Sequence, residues 1–338
     1  MNLKELLNRP LEIGGKTIES RLLLAPMAGI THVAFRRLVN EYGGAGLLYS
    51  EMSASRAIPT ENPKVSKVFC WTEDEKPKLL WQIYGSGPEE MAAAAARCER
   101  EGFFGVDLNF GCSVGTIVRK GGGAALLRDP EKAAAVVAAV RRAVKIPLFV
   151  KFRTGWEDEP ENAAGLARIF EENGADALTF HPRTAPDIRT RPPRWEYIGR
   201  VKDAVKIPVF GNGNVFGPED CAKMMAETGC DGVALGRIAA VRPWVFADWC
   251  GLPPPRTGLH LAALKRFAGL CSEHFKPRPA VNRFKVLTGY MAADFAFGHS
   301  LAVAVKTARD MDDAVWAAES FFSDDPPPSA APNPNMLR

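Results

Sequence analysis

The chain has 338 residues, 46% of them hydrophobic and 24% charged, with 43 Lys and Arg against 39 Asp and Glu and a net charge of +4. This composition excludes a fibre and a disordered chain, and so small a net charge does not by itself call for a polyanionic partner. The seven cysteines, at 70, 98, 112, 221, 230, 250 and 271, form no C-x-x-C pair and no even framework, which argues against a disulfide scaffold or a structural zinc site, and no metal is expected.

The N-terminal stretch MNLKELLNRPLEIGG lacks a continuous apolar run, and nowhere are there about 18 apolar residues in succession. Free thiols suit a reducing compartment. The expectation is a soluble cytoplasmic protein with no membrane contact and no obligate protein partner. Eight short apolar stretches then follow, at 21–27, 46–51, 79–84, 105–110, 147–153, 176–181, 207–211 and 231–236. Helical patterns fill the gaps. Four of them open alike: GPEE from Gly87, DPEK from Asp129, EPEN from Glu159 and GPED from Gly217. Proline is tolerated at the first helical position, where its missing N–H would have no partner, and glutamate in the first turn complements the helix dipole. Gly174 and Gly229 stand where helices end. AVKIPLFVKFRTG from Ala143 and AVKIPVFGNGNVF from Ala204 are near-copies of one helix-end, break and strand unit.

Short apolar strands alternating with helices imply a parallel sheet. Eight such units fit the α/β class as a closed (β/α)8 TIM barrel, and an open doubly wound sheet is the competing architecture. The barrel is expected over 1–250, a linker over 251–258 (GLPPPRTG), a small helical domain over 259–322, and a disordered Pro-rich tail over 323–338.

In such a barrel, chemistry gathers where the strands end. Those ends read APMAG, YSEM, QIYG, NFGC, KFRTG, HPRT, GNGN and LGRI. Lys151 lies inside the apolar run LFVKFR, where a solvated lysine is unusual, and Gln82 is enclosed in LLWQIY. His181, taken alone, reads as a core histidine. GNGN at Gly211 lacks the third glycine of a dinucleotide fingerprint, because Phe216 stands there. Glycines at the ends of strands seven and eight, with Arg237 nearby, nevertheless suit a phosphorylated cofactor. Cys112 follows strand four, beside Asn109. It reads either as a small buried hydrophobe or as a proton donor, since an ordinary thiol titrates near ~8.5.

Seven segments together resemble the bacterial tRNA-dihydrouridine synthases, the B-type branch above all: LLLAPMAGITHVAFRRL, WQIYGSGPEEMAAAA, VDLNFGCSVGTIVRKGGGAALLRDP, VKFRTGW, LTFHPRTA, VFGNGNV and LGRIAAVRPWVF. The resemblance spans residues 11–322. It implies an FMN-dependent enzyme that uses NADPH to reduce the C5=C6 bond of particular uridines in tRNA. Hydride would pass from FMN N5 to C6, and a proton from Cys112, the family's catalytic acid, to C5. By position, Pro26, Met27 and Ala28 would lie against the flavin, Gln82 and Lys151 would contact its ring, and His181 would lie close by. Asn212, Gly213, Asn214, Gly236 and Arg237 would hold the phosphate end. Asn109, Arg153 and Arg183 would face the substrate. Ser113 stands where the family usually has proline, Thr116 and Ile117 where Lys-Val is common, and Asn214 where Asp is frequent. Pro182 and Ile238 are further departures.

Two basic zones suggest a grip on RNA phosphates. Residues 256–309 carry nine Lys or Arg against two acids, and 183–206 carry seven against three. The competing readings are a flavin barrel acting on a free small molecule, of the dihydroorotate dehydrogenase type, and the same reaction on another RNA.

Overall fold

The computed structural model describes residues 2–187, 191–252 and 259–337. Its centre is a closed barrel of eight parallel strands: β1 (Leu22–Leu24), β2 (Leu47–Tyr49), β3 (Leu79–Tyr84), β4 (Gly105–Phe110), β5 (Leu148–Gly155), β6 (Ala177–Thr184), β7 (Val209–Asn212) and β8 (Gly232–Leu235). The strands pair in chain order around the ring, and β8 closes onto β1 with Val233 opposite Leu22. All eight stretches expected from the sequence are strands, so the (β/α)8 reading holds and the open sheet is excluded.

Helices α1 (Val33–Tyr42), α2 (Pro88–Arg100), α3 (Pro130–Ala143), α4 (Pro160–Glu172), α5 (Glu196–Ala204), α6 (Pro218–Thr228), α7 (Arg237–Val241) and α8 (Val245–Cys250) surround it. Proline opens α2, α3, α4 and α6, as the sequence implies. The gap after β2 departs from the pattern. It holds a two-residue strand, Ser53–Ala54, and the 3-10 turns Ile58–Thr60 and Glu73–Lys78 instead of an α-helix. Pro59, Pro63 and Pro77 remove donors that a helix there would need.

Side-chain direction alternates along each strand. Leu23, Leu47, Leu80, Phe149, Ala177, Phe210 and Ala234 fill the lower interior, with Ile13 and Ile18 of an N-terminal hairpin. Val106, Leu108, Phe110, Val150 and Phe152 face the helices. The same alternation lifts the polar residues of β3 to β7 toward the upper mouth.

Four further helices follow: α9 (Leu259–His274), α10 (Pro277–Met291), α11 (Gly298–Thr307) and α12 (Met311–Phe322). Their apolar residues belong to the same continuous cluster as the outer barrel. Arg37–Glu273 and Arg266–Glu41 tie α9 to α1. Arg242, just after α7, makes two bonds of 2.8 Å to the buried Asp294, which also bonds His260. Of the expected linker, residues 253–258 lie outside the described residues, as do Arg189 and Arg256 of the basic zones. Among the described residues no helix is long and apolar enough to cross a membrane.

The tail departs from the disorder expected of its composition. Residue Pro328 bridges to Phe295, Ser329 N donates to Asp294 O, and Asn333 N donates to Ala293 O at 2.7 Å. A 3-10 turn, Pro334–Leu337, then buries Leu337 in the core cluster. Prolines hold this segment extended at small entropic cost, and one apolar anchor fixes its end.

His32 precedes α1 at the seam between barrel and helices, buried between Phe267 and Phe275. Burial, and then the charges of Arg283, Arg36 and His274, hold its pKa well below the usual histidine value. The folded state therefore keeps His32 neutral while the unfolded chain takes up a proton below about 6.5. Stability contributed at this position is complete above that pH and is lost as pH falls below it. Calorimetry between pH 7 and pH 5 should show unfolding free energy falling by about 1–2 kcal/mol on this account. His32→Phe should remove that part of the slope; an unchanged slope would exclude His32 as its source.

Candidate active site

One cavity of about 610 Å³ opens at the C-terminal ends of the strands. That size lies within the usual range for a small-molecule or cofactor pocket. Its lining includes every site residue singled out from the sequence: Pro26, Met27, Ala28, Gln82, Asn109, Cys112, Lys151, Arg153, His181, Arg183, Asn212, Gly213, Asn214, Gly236 and Arg237. Strand pairing explains the convergence. Asn109 lies opposite Lys151, and Arg153 opposite His181, on adjacent parallel strands.

Cys112 sits half-buried on the loop after β4. Its backbone N–H donates to Asn109 Oδ1 at 2.9 Å, and its carbonyl accepts from Ala124 N at 2.9 Å. The second contact depends on Gly123, which has φ +58; a Cβ there would meet Cys112 O at 2.5 Å. Glycines 121–123 thus let the chain fold back beneath the cysteine. Five other cysteines are buried, and only Cys70 is half-buried like Cys112.

At the floor, Gln82 Nε2 donates to Asp107 Oδ2 at 2.7 Å and Asn109 Nδ2 donates to Gln82 Oε1 at 2.8 Å. Burial lowers the pKa of Lys151, Arg153 adds to that, and Asp107 and Cys112 oppose it. Burial raises the pKa of Asp107, opposed by Gln82 and Lys151.

At the opposite corner, Asn214 adopts a left-handed φ of 53, a region asparagine tolerates well. Its Oδ1 accepts from Arg237 Nη2 at 2.7 Å and from Arg183 Nη2 at 3.3 Å. Gly213 has φ +124, and a Cβ there would lie 3.0 Å from the His181 ring. His181 is held neutral by burial and by the charges of Lys151, Arg153, Arg183 and Arg237. Arg237 Nη1 also donates to Leu337 O at 3.0 Å, so the tail reaches this corner.

Three contributions escaped the sequence reading. Tyr290 of α10 lines the cavity from the helical side. Asp187 lines it too. Burial opposes its charge, but bonds from Thr184, Arg194 and Arg191 hold its carboxyl down at about 2. Asp107 lies beneath the floor. The alternation in VDLNF could have signalled it, since Asp107 and Asn109 share a face.

The basic zones change meaning in three dimensions. Lys265 pairs with Glu319, Arg266 with Glu41 and Arg309 with Asp313, all acids outside 256–309. Arg191 and Arg194 pair with Asp187, and Lys202 pairs with Asp231 ahead of β8, at the far end of the barrel from the mouth. Lys206 also precedes its strand. The local excess is therefore smaller than the sequence suggests. Exposed Lys276, Arg278 and Lys306 have no ion pair among the described residues.

Polar side chains from separate strands, gathered at the C-terminal mouth of a closed parallel barrel, make this a (β/α)8-barrel enzyme. Residues 23–277 match the family model for dihydrouridine synthase (Dus). The chain belongs to the dihydrouridine synthase family and is an oxidoreductase. It is 39% identical over 251 residues to tRNA-dihydrouridine synthase B of Pseudomonas aeruginosa, covering 74% of each chain. It is 39% identical over 238 residues to a probable tRNA-dihydrouridine synthase of Rickettsia bellii, covering 70% of this chain and 73% of that one. Among solved structures, a 2-naphthoyl-CoA reductase in complex with 2-naphthoyl-CoA aligns with a TM-score of 0.59 at 13% identity, covering 95% of this chain and 70% of that one. That likeness concerns the fold alone.

Proposed function

We propose that this chain uses FMN and NADPH to reduce the C5=C6 bond of specific uridines in tRNA, in the cytoplasm. The observation that carries the reading is the single cavity where a half-exposed thiol, an enclosed lysine and a glycine-lined cationic corner meet. The residues fit FMN. Gly213 and Gly236 leave the backbone open to a phosphate, and Arg237 with Asn214 supplies charge and polarity beside them. Pro26, Met27 and Ala28 offer an apolar wall, with Gln82 and Lys151 facing the ring position. When bound, FMN would supply the hydride that goes to uracil C6.

The chain's own residues do the rest. Cys112 holds a proton at Sγ, on the rim, where it passes to C5. Asn109 and Arg153 orient the uracil, and Arg183 holds the wall behind it. His181, kept neutral, accepts from Arg183 Nη1 at 3.2 Å rather than adding a further charge. The uridine must leave its stack to enter, and a base outside a stable helix costs least to extrude. Lys276, Arg278 and Lys306 are the exposed cations suited to the RNA backbone.

Two measurements test this. The purified protein should be yellow and should release FMN on denaturation. Dihydrouridine mapping of tRNA from cells lacking the protein should show loss at defined positions, restored by the wild-type chain. Unchanged tRNA would overturn the reading.

A further inference from the structure

Asp107 is fully buried in the barrel interior and does not line the cavity. It lies two residues before Asn109 on β4, opposite Gln82 on β3. The proposed chemistry gives it no contact with substrate or cofactor; its charge supports that of Lys151, and an acid in such surroundings also needs hydrogen-bond partners.

The hydrogen bonds supply one. Asp107 Oδ2 accepts from Gln82 Nε2 at 2.7 Å. Gln82 Oε1 accepts from Asn109 Nδ2 at 2.8 Å. Asn109 Oδ1 accepts from Gly111 N at 3.1 Å and Cys112 N at 2.9 Å. The two ends of an amide side chain have nearly the same shape, so its hydrogen-bond partners decide its orientation. Here both ends of the series are fixed. A backbone N–H only donates, and at the other end Asp107 Oδ2 accepts from Gln82 Nε2. Each of the two amides between them therefore has one orientation that satisfies all its neighbours. On its other side, Asp107 Oδ1 faces Tyr49 OH at 3.5 Å, and that hydroxyl is engaged by Thr179 Oγ1 at 2.8 Å. Tyr49 is thus the weaker partner, and Gln82 the stronger.

We propose that Asp107 is a positioning residue: through Gln82 and Asn109 it fixes the amide orientations that hold the Cys112 loop in place. This rests on the reading of Cys112 as proton donor. Asp107 touches neither the thiol nor the cavity; it sets the direction in which a two-amide relay points. The relay takes one of the two Nδ2 hydrogens of Asn109, so the loop and the floor are registered to each other through that amide.

The test uses Asp107→Leu, which removes the acceptor, and Asp107→Asn, whose Oδ1 can still accept from Gln82. Two readouts are needed. The first is the rate at which iodoacetamide alkylates Cys112, followed by peptide mass spectrometry, with the buried cysteines as internal reference. Asp107→Leu should alkylate about tenfold faster, and Asp107→Asn should stay near wild type. The second is single-turnover dihydrouridine formation in tRNA. Measured on the acid side of neutrality, where Lys151 keeps its charge without Asp107, Asp107→Leu should lose on the order of 10²-fold, the scale of an ångström-sized misplacement, with bleaching by NADPH retained, and Asp107→Asn should recover most of it. Should Asp107→Leu fail to accumulate, Asp107→Val carries the same expectation. Unchanged alkylation and turnover in the Leu or Val variant overturns the inference. So does an Asn variant as impaired as Leu, since charge rather than acceptor direction would then be the cause. A wild-type protein inactive on every tRNA would instead overturn the proposed function, and the alkylation comparison would still decide the relay.

Discussion

Replacing Cys112 by alanine should slow dihydrouridine formation in tRNA by about 10²–10⁴-fold, the usual contribution of a positioned general acid. FMN content and bleaching by NADPH should stay near wild type. The separation follows from where the residue sits. Cys112 is on the loop beyond β4, held by its backbone N–H and carbonyl rather than by its sulfur. Removing Sγ leaves both backbone bonds and the Gly123 contact intact, so the loop keeps its path. The floor made by Gln82 and Lys151 and the corner made by Asn214 and Arg237 are untouched. Cys112→Ser should fall between the two, because a hydroxyl reaches the same place but gives up its proton less readily. The measurement is rapid-mix bleaching by NADPH, followed by single-turnover mass spectrometry of the RNA. A Cys112→Ala protein within about fivefold of wild type in the second step would remove the thiol from the chemistry. One that also lost its flavin would show that the side chain acts as structure.

How much of this was legible in the sequence differs from residue to residue. The barrel was legible because its unit repeats. Pro-Glu starts open four of its helices and short apolar strands recur around the ring, and both are marked by local chemistry. The gap after β2 was not, because its prolines act locally while its replacement, the 3-10 turn Glu73–Lys78, is held by distant partners such as the buried Arg36–Glu75 pair. Convergence of the polar strand ends on one mouth follows from topology once the barrel is granted. Tyr290 could not be inferred that way. It lies on a helix whose docking onto the barrel is a matter of tertiary packing. The same reason undid the charge count: Glu41, Glu319 and Asp313 lie outside the basic segment, and only folding brings them to Arg266, Lys265 and Arg309. Composition also misled in the tail, where prolines describe a stiff strap as well as a loose end. Leu337, one apolar residue in that segment, is what anchors it.

Lys151→Met should act on both stages of the reaction, and this distinguishes it from Cys112→Ala. Lys151 lies on β5 between Asn109 and Thr179 of the neighbouring strands, a position facing the cavity floor. A positive charge in a partly desolvated, preorganised place is worth far more than one in water. Losing one such group typically costs about 10²–10³ in rate, so bleaching by NADPH should slow by that order and FMN should bind more weakly. Lys151→Arg should not restore the rate, since a planar fork on a longer stem cannot occupy the site of a compact ammonium. The pH dependence gives an independent check. Burial and Arg153 lower the pKa of Lys151, so its charge disappears at a lower pH than an ordinary lysine's. The stabilisation it provides is present below that pKa and is lost as pH rises through it. Wild-type bleaching should therefore fall on the alkaline side well before the usual lysine range, and Lys151→Met should be slow at every pH, without that limb. Methionine keeps the length and apolar stem of lysine, so the barrel wall should remain packed and the melting temperature should change little. A Lys151→Met protein that bleaches at the wild-type rate, with the alkaline limb unchanged, would assign the limb to another group and leave the floor without its charge.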